Sequence, residues 1–128
     1  METVELEAQI YRALTEDAAL MALLSDGSNS VFYLRAPGGE AGRYPILVYS
    51  PISDVPIFAA DDVEAAHRVT FRIHIVTLDG QYGGIYRRVH HVMEGLGFTR
   101  TQTTPYVEGE EKMLVVDYKI GVSAEWQR

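Results

Sequence analysis

The sequence predicts an α+β domain in which an antiparallel or mixed sheet of four to five strands is packed on one face by two amphipathic helices. Apolar residues recur at helical spacing near the N-terminus and again between residues 85 and 96. Between these two segments, residues 67–77 alternate apolar and polar side chains, which is typical of a half-buried strand. The chain of 128 residues is long enough for one hydrophobic core, so we expect a single domain over residues 1–128.

The first predicted elements are helical. The apolar face of a helix over residues 2–14 consists of Leu6, Ile10, Ala13 and Leu14. Asp17 precedes a second short helical run, AALMALL, where a carboxylate interacts favourably with the helix dipole. We expect the two helical pieces to be continuous or bent at Thr15, and Asp26-Gly27 to end the second one.

Five further segments are predicted as strands, and one as a helix. The strands are residues 31–34, 45–50, 67–77, 97–107 and 112–123. The loop 35–43 is rich in glycine, and the prolines of residues 51–65 indicate a long connection or an irregular hairpin tip. The later helix has its apolar stripe between Ile85 and Leu96, and Gly95 or Gly97 would end it.

The net charge of −7 is unevenly distributed along the chain. Residues 1–66 sum to −8 and residues 67–128 to +1. The acidic total argues against a general nucleic-acid binder, because such binding begins with neutralisation of phosphates by cationic groups. The N-terminal segment is polar and no apolar stretch approaches 20 residues, so we expect neither a signal peptide nor a membrane span.

The residues that usually carry chemistry do not form a recognisable site. The chain has no cysteine, its serines lack a nucleophile-elbow context, and its paired glycines lack a phosphate-loop context. His90 and His91 are adjacent on a helix and His67 and His74 are an odd number apart on a strand, so neither pair shares a face. We therefore expect no catalytic residue, no cofactor and no metal site.

Two groups of residues are candidates for contacts with a partner. Arg87 and Arg88, together with Arg68 and Arg72, form the only local basic group, which either meets an acidic partner or is a solvated surface. The apolar run VPIF, residues 55–58, either folds back onto the core or is covered by another chain. The same two alternatives apply to Trp126 near the C-terminus.

The order and character of the elements resemble one family, the phage tail completion proteins, also called tail terminators or tail-to-head joining proteins. The resemblance covers about residues 4–122 and consists of these segments: VELEAQIYRALTEDAALMALL, YPILVYSPIS, HRVTFRIHIVTLD, GGIYRRVHHVMEGLGFTR and KMLVVDYKIGV. None of them is a catalytic signature.

The resemblance implies a non-enzymatic structural role in virion assembly. Such proteins form a hexameric ring that caps the head-proximal end of the tail tube, ends tube growth and provides a docking surface for the head connector. The implied partners are further copies of the chain, the tail tube protein and the head completion protein. DNA would pass through the ring without being read, no membrane would be involved, and assembly would take place in the host cytoplasm.

Loop 35–43, the connection 53–66 and residues 123–128 are where the resemblance implies ring and tube contacts. The candidate interface residues are Arg35, Arg43, Asp54, Val55, Ile57, Phe58, Asp61, Asp62, Arg68, Arg72, Arg87, Arg88 and Trp126. Two alternatives stay open. One is another minor tail or head–tail adaptor component, and the other is a small ligand-binding or enzymatic domain that uses His74, Arg72 and Arg88 around an anion.

Overall fold

The computed structural model describes residues 3–36, 43–59, 61 and 63–123. The helices are α1 (Thr3–Thr15), α2 (Ala18–Met21) and α3 (Gly83–Gly95), and the strands are β1 (Val31–Tyr33), β2 (Ile46–Phe58), β3 (Glu64–Thr77), β4 (Thr99–Glu108) and β5 (Glu111–Ser123). None of the helices in the described ranges is long and apolar enough to cross a lipid bilayer. The predicted α+β class is confirmed.

The five strands form one mixed sheet in the order β1-β2-β3-β5-β4. The short β1 runs parallel to β2, whereas all other neighbours are antiparallel. β3 lies at the centre, and its pairing with β5 is unbroken from Ala66 opposite Ser123 to Thr77 opposite Lys112. The mixed sheet agrees with one of the two alternatives that the sequence left open.

The core lies on the sheet face that carries the odd-numbered residues of β3. Val69, Phe71, Ile73 and Ile75 are fully buried there, as the alternation predicted. The same cluster contains Leu6, Ile10 and Leu14 of α1, Ile85, Val89 and Met93 of α3, and Leu114, Val116 and Tyr118 of β5. The opposite face, which we call the second face, carries the even-numbered residues of β3.

Asp17 connects the helical elements to each other. Its carboxylate accepts a hydrogen bond from the Leu20 backbone N–H at 2.8 Å, so it caps α2 as its position predicted. It also forms an ion pair with Arg88 of α3, with an Nη2–Oδ2 distance of 2.6 Å. The hydrogen bond from Arg88 lowers the pKa of Asp17. The helical segment is interrupted at this cap, so α1 and α2 are separate helices rather than one continuous helix.

Gly97 ends the later predicted helix, which is α3. α3 stops at Gly95, and Gly97 has φ = +98°, a conformation that strongly favours glycine. The Gly97 N–H donates to the Glu94 carbonyl and the Phe98 N–H to the Met93 carbonyl, which is the Schellman pattern. Of the two glycines that the sequence offered, Gly97 is therefore the one that reverses the chain.

Of the two alternatives for residues 51–65, the long connection is wrong, because β2 continues to Phe58 and β3 begins at Glu64. The irregular hairpin is present, since the antiparallel pairing of β2 with β3 has register shifts at Pro51/Ser53 and Ile57/Phe58. The Tyr49 carbonyl accepts a hydrogen bond from Leu34, so the backbone groups of alternate β2 residues face β1. Pro51 shares that orientation, and β1 has ended there. Its missing N–H therefore points to an open strand edge, where proline is tolerated. Pro56 lies farther along the same open edge of β2, and the opposite edge of β2 pairs with β3 there.

The two long strands extend past the core as a hairpin. We call residues 52–58 and 63–68 the arm. A bulge at Ile52 shifts the register between Pro51 and Ser53 at its base. Side chains of β2 are buried or half-buried up to Pro51 and exposed from Ile52 onward. β5 pairs with β3 as far as Ser123, so residues 66–68 of the arm have a third strand beside them.

Truncation of Phe71 tests the assignment of the two sheet faces. Phe71 is fully buried and packs edge-to-face against Phe98, with ring centroids 6.1 Å apart. We expect Phe71→Ala to lower the free energy of unfolding by about 3–5 kcal/mol, because a buried aromatic side chain leaves a cavity. Urea denaturation measures this change. Phe58→Ala, at a side chain that is 59% exposed, is the control and should change it by less than about 0.5 kcal/mol.

Replacement of Asp17 by Asn tests the ion pair with Arg88. Asn still caps α2 but carries no charge. The folded-state pKa of Asp17 is lowered, so its stabilisation is present above the unfolded pKa and is lost as pH falls through the folded pKa. We expect Asp17→Asn to cost roughly 1–2 kcal/mol at pH 7. This difference should shrink to near zero in strong acid.

Urea denaturation at neutral and strongly acidic pH checks this expectation, with Asp79→Asn at an exposed side chain as the matched control. An equal loss of stability at both pH values would show that the charge of Asp17 makes no contribution.

Candidate functional site

The arm carries most of the candidate residues that the sequence placed between positions 54 and 68. Val55 and Ile57 are exposed and lie opposite Arg68 and Ala66, on the second face. Phe58 ends β2 at the arm tip, where it is 59% exposed. The run VPIF therefore does not fold back onto the core. Asp61 lies in the turn beyond Phe58, whereas Asp62 and Trp126 lie outside the described residues.

Asp54 fixes the arm to the first turn of α1. Its carboxylate accepts a hydrogen bond from Thr3 Oγ1 at 2.7 Å, and His67 Nδ1 lies 2.7 Å from its other oxygen. Desolvation opposes ionisation of Asp54, but the hydrogen bonds from His67 and Thr3 outweigh it and lower its pKa. Asp54 is thus a structural link at the arm, and its charge is partly satisfied within the chain.

The four arginines of the predicted basic group do not form one surface. Arg72 forms a bidentate pair with Asp117, with N–O distances of 2.8 and 3.0 Å, and Arg88 is paired with Asp17. Arg68 and Arg72 lie on the second face, whereas Arg87 and Arg88 belong to α3, which packs against the core face. The four arginines therefore do not form one basic surface, and their role as contact residues stays a prediction. Arg87 is the exposed member of the α3 pair.

Two adjacent cavities lie on the second face and share His74 as a common wall. The first has a volume of about 280 Å³ and is lined by Arg72, Asp117, Gln102, Thr104 and Tyr106. The second has a volume of about 250 Å³, and we call it the apolar slot. Its apolar lining consists of Leu34, Ala36, Ile46, Val48, Val76 and Met113.

The anion-binding hypothesis required Arg72, His74 and Arg88 to converge, and they do not. Arg72 and His74 line the first cavity, but Arg88 lies on α3 and forms an ion pair with Asp17. Asp117 neutralises the charge of Arg72. Burial of His74 lowers its pKa, and the nearby Arg72 lowers it further, so the imidazole is neutral at neutral pH. This cavity therefore offers no net positive charge to an anion.

The candidate residues Arg35 and Arg43 are both exposed and lie on either side of the segment outside the described ranges. Arg35 lines the apolar slot, and the residue after Arg43, Tyr44, packs against the small cluster of Ile46, Val76 and Met113. Within the described ranges, no three His, Asp or Glu side chains are grouped so that they could hold a metal ion.

Sequence reasoning missed the apolar slot, although one signal for it was present. The run ILV at the start of β2 has consecutive apolar residues rather than alternating ones, which is typical of a strand covered on both faces. Ile46 and Val48 of this run lie in the slot, whereas Leu47 points into the main core.

The chain matches the family model of tail completion protein gp17 over residues 8–120. Among solved structures, it is similar to a chain of the virion of a native gene transfer agent particle. That match has a TM-score of 0.63 and 19% identity, and it covers 93% of this chain and 95% of that one. A second solved structure has a TM-score of 0.56 and 14% identity over 99% of both chains. No protein in a search of curated proteins matches the chain significantly.

The two solved structures share the fold of this chain, and the family match spans most of its length, including the central sheet and α3. The family resemblance predicted from the sequence is thereby confirmed. The chain belongs to the family of tail completion protein gp17 and is a structural protein of a phage tail.

Proposed function

We propose that the chain caps the head-proximal end of the tail tube as a hexameric ring, stops tube growth and provides the docking surface for the head connector. The observation that carries this proposal is the arm. Its five exposed large apolar side chains, Ile52, Val55, Ile57, Phe58 and Val63, lie on a rigid hairpin outside the core. A structural tail protein that presents such a surface is built to be covered by other protein chains.

The polarity of the fold favours a ring over a symmetric dimer. The arm tip lies at one end of the long strands, and the β4–β5 turn with exposed Tyr106 and Val107 lies at the other. Two different surfaces at opposite ends suit heterologous contacts, which close into a ring or continue as a filament. A ring also leaves a central passage, and an acidic chain does not hold DNA that moves through it.

The absence of an active-site arrangement in the described part of the chain supports a structural role. In the two cavities on the second face, the charge of Arg72 is neutralised by Asp117, His74 is neutral, and the remaining lining of the apolar slot is mainly apolar. A catalytic site needs converging polar groups positioned for proton transfer or nucleophilic attack. The functional parts of the proposed terminator are therefore its surfaces.

Deletion of the gene tests the proposed function directly. Without a terminator we expect tubes of uncontrolled length and heads that carry no tail, because neither tube growth nor head joining is controlled. Electron microscopy of the assembly products measures both. Tails of normal length joined to heads in the deletion strain would refute the proposal.

Phe58→Asp tests whether the arm serves assembly. The side chain is exposed, so we expect the melting temperature to change by less than about 2 °C while the yield of tailed particles falls at least about tenfold. Thermal denaturation and particle counts measure the two effects. Val4→Asp is the control, because Val4 is even more exposed than Phe58 and lies in the first turn of α1, where an acid is favourable. A normal particle yield with Phe58→Asp would exclude the arm as an assembly surface.

A further inference from the structure

We infer that the arm tip of one copy of the chain inserts Phe58 into the apolar slot of the next copy. This inference rests on the proposed ring and names the two surfaces that would close it. It joins two features that have no internal counterpart among the residues that the structure describes. One is a large aromatic side chain exposed at the end of a rigid hairpin. The other is an apolar cavity that opens on the second face.

The apolar slot fits an aromatic side chain in size and chemistry. Its volume of about 250 Å³ accommodates one ring, and six of its lining side chains are apolar. Ile46, Val76 and Met113 form its floor and are already almost fully buried. Insertion of Phe58 would remove further apolar surface from water on both partners, which is the dominant favourable contribution to protein association.

A chain cannot place its own Phe58 in its own slot. Ile46 and Val48 of the slot lie at the start of β2, and Phe58 lies at its end. Ten residues of extended strand separate Val48 from Phe58, which corresponds to about 30 Å. The arm is held straight by its pairing with β3, so it does not bend back across this distance. A Phe58 side chain in the slot would therefore come from another copy.

One pair of opposite charges could link the two features, although the slot also has an acidic side chain in its lining. Asp61 and Glu64 flank the arm tip and are exposed. The slot is lined by Arg35, which is exposed, and by Glu111, whose carboxylate accepts a hydrogen bond from Tyr44 at 2.6 Å. Arg35 is thus positioned to meet the acidic arm tip once Phe58 is inserted. Such a charge pair at the rim of an apolar contact sets its orientation and register.

The absence of cysteine from the chain permits a specific crosslinking test. Ala36 lines the slot and Ala59 follows Phe58, so the double variant Ala36→Cys with Ala59→Cys places one thiol on each side of the inferred contact. The variant replaces the natural chain in assembled particles, which are then treated with a short thiol-reactive crosslinker. We expect a ladder of covalent multimers in a denaturing gel, up to the size of the closed ring.

Matched variants separate the inferred contact from accidental crosslinking. The single variants Ala36→Cys and Ala59→Cys should give no ladder, because a head-to-tail contact brings unlike positions together. The pair Ala8→Cys with Ala59→Cys carries the same number of thiols, with one on the exposed side of α1, and should remain monomeric. Particles that contain the chain but give no ladder with the Ala36 and Ala59 pair would overturn this inference and leave the proposed ring intact. Failure of the proposed function would instead appear as normal tails in the deletion strain.

A charge exchange provides a second test that does not depend on crosslinking. We expect Arg35→Asp and Asp61→Arg each to lower the yield of tailed particles at least about tenfold. The double variant restores the attraction with its direction reversed and should recover the yield to within about threefold of the natural chain. If the yield of the double variant fell by the product of the two single losses, the two substitutions would act independently. That result would overturn the pairing of Arg35 with Asp61.

Discussion

The long central strand β3 is the element on which the rest of the structure depends. It is paired with β2 on one side and with β5 on the other, and its pairing with β5 runs without a bulge over twelve residues. Its C-terminal half buries four apolar side chains in the core, and its N-terminal half forms the arm. The same strand therefore anchors the fold and carries the surface that we propose for assembly. Because β3 is paired with β2 throughout the arm and with β5 up to Ala66, the arm would lose little conformational entropy in the contact that we propose.

The elements that were predictable from sequence are those with a local signal. These signals are the alternation in residues 67–77, the helical spacing before Leu96 and the positions of Asp17 and Gly97. Each depends only on residues within one turn or one strand, and the structure agrees with each. The sequence allowed an irregular hairpin at the arm but did not predict that β2 and β3 continue through it, and the reason is physical. Pro51 and Pro56 exclude an inner strand, but they are compatible with an edge, and whether β2 has a free edge depends on where the distant β1 ends.

The functional surfaces were less predictable, because they depend on long-range register. The apolar slot collects residues from the segment after β1 and from β2, β3 and β5. The neutralisation of Arg72 by Asp117 joins positions that lie 45 residues apart, and that of Arg88 by Asp17 joins positions 71 apart. The number of arginines in the sequence therefore overestimates the positive charge that the surface presents. The sequence left open whether residues 55–58 fold back onto the core or are covered by another chain, and the structure excludes the first alternative because Val55, Ile57 and Phe58 are exposed.

The division of the chain into an acidic and a nearly neutral half also changes meaning in three dimensions. Asp17 and Asp54 belong to the acidic half, yet they are engaged by Arg88 and His67 of the other half. Part of the charge difference between the two halves is therefore neutralised within one copy and cannot interact with a neighbouring copy. What remains exposed near the proposed contact is acidic at the arm tip and includes Arg35 at the slot. The charges that we propose to orient the contact are therefore those of the arm tip and of Arg35, because the end of the strands that carries the slot also holds Glu108, Glu110 and Glu111. A contact oriented by these few exposed charges weakens as salt screens them, whereas the burial of Phe58 persists.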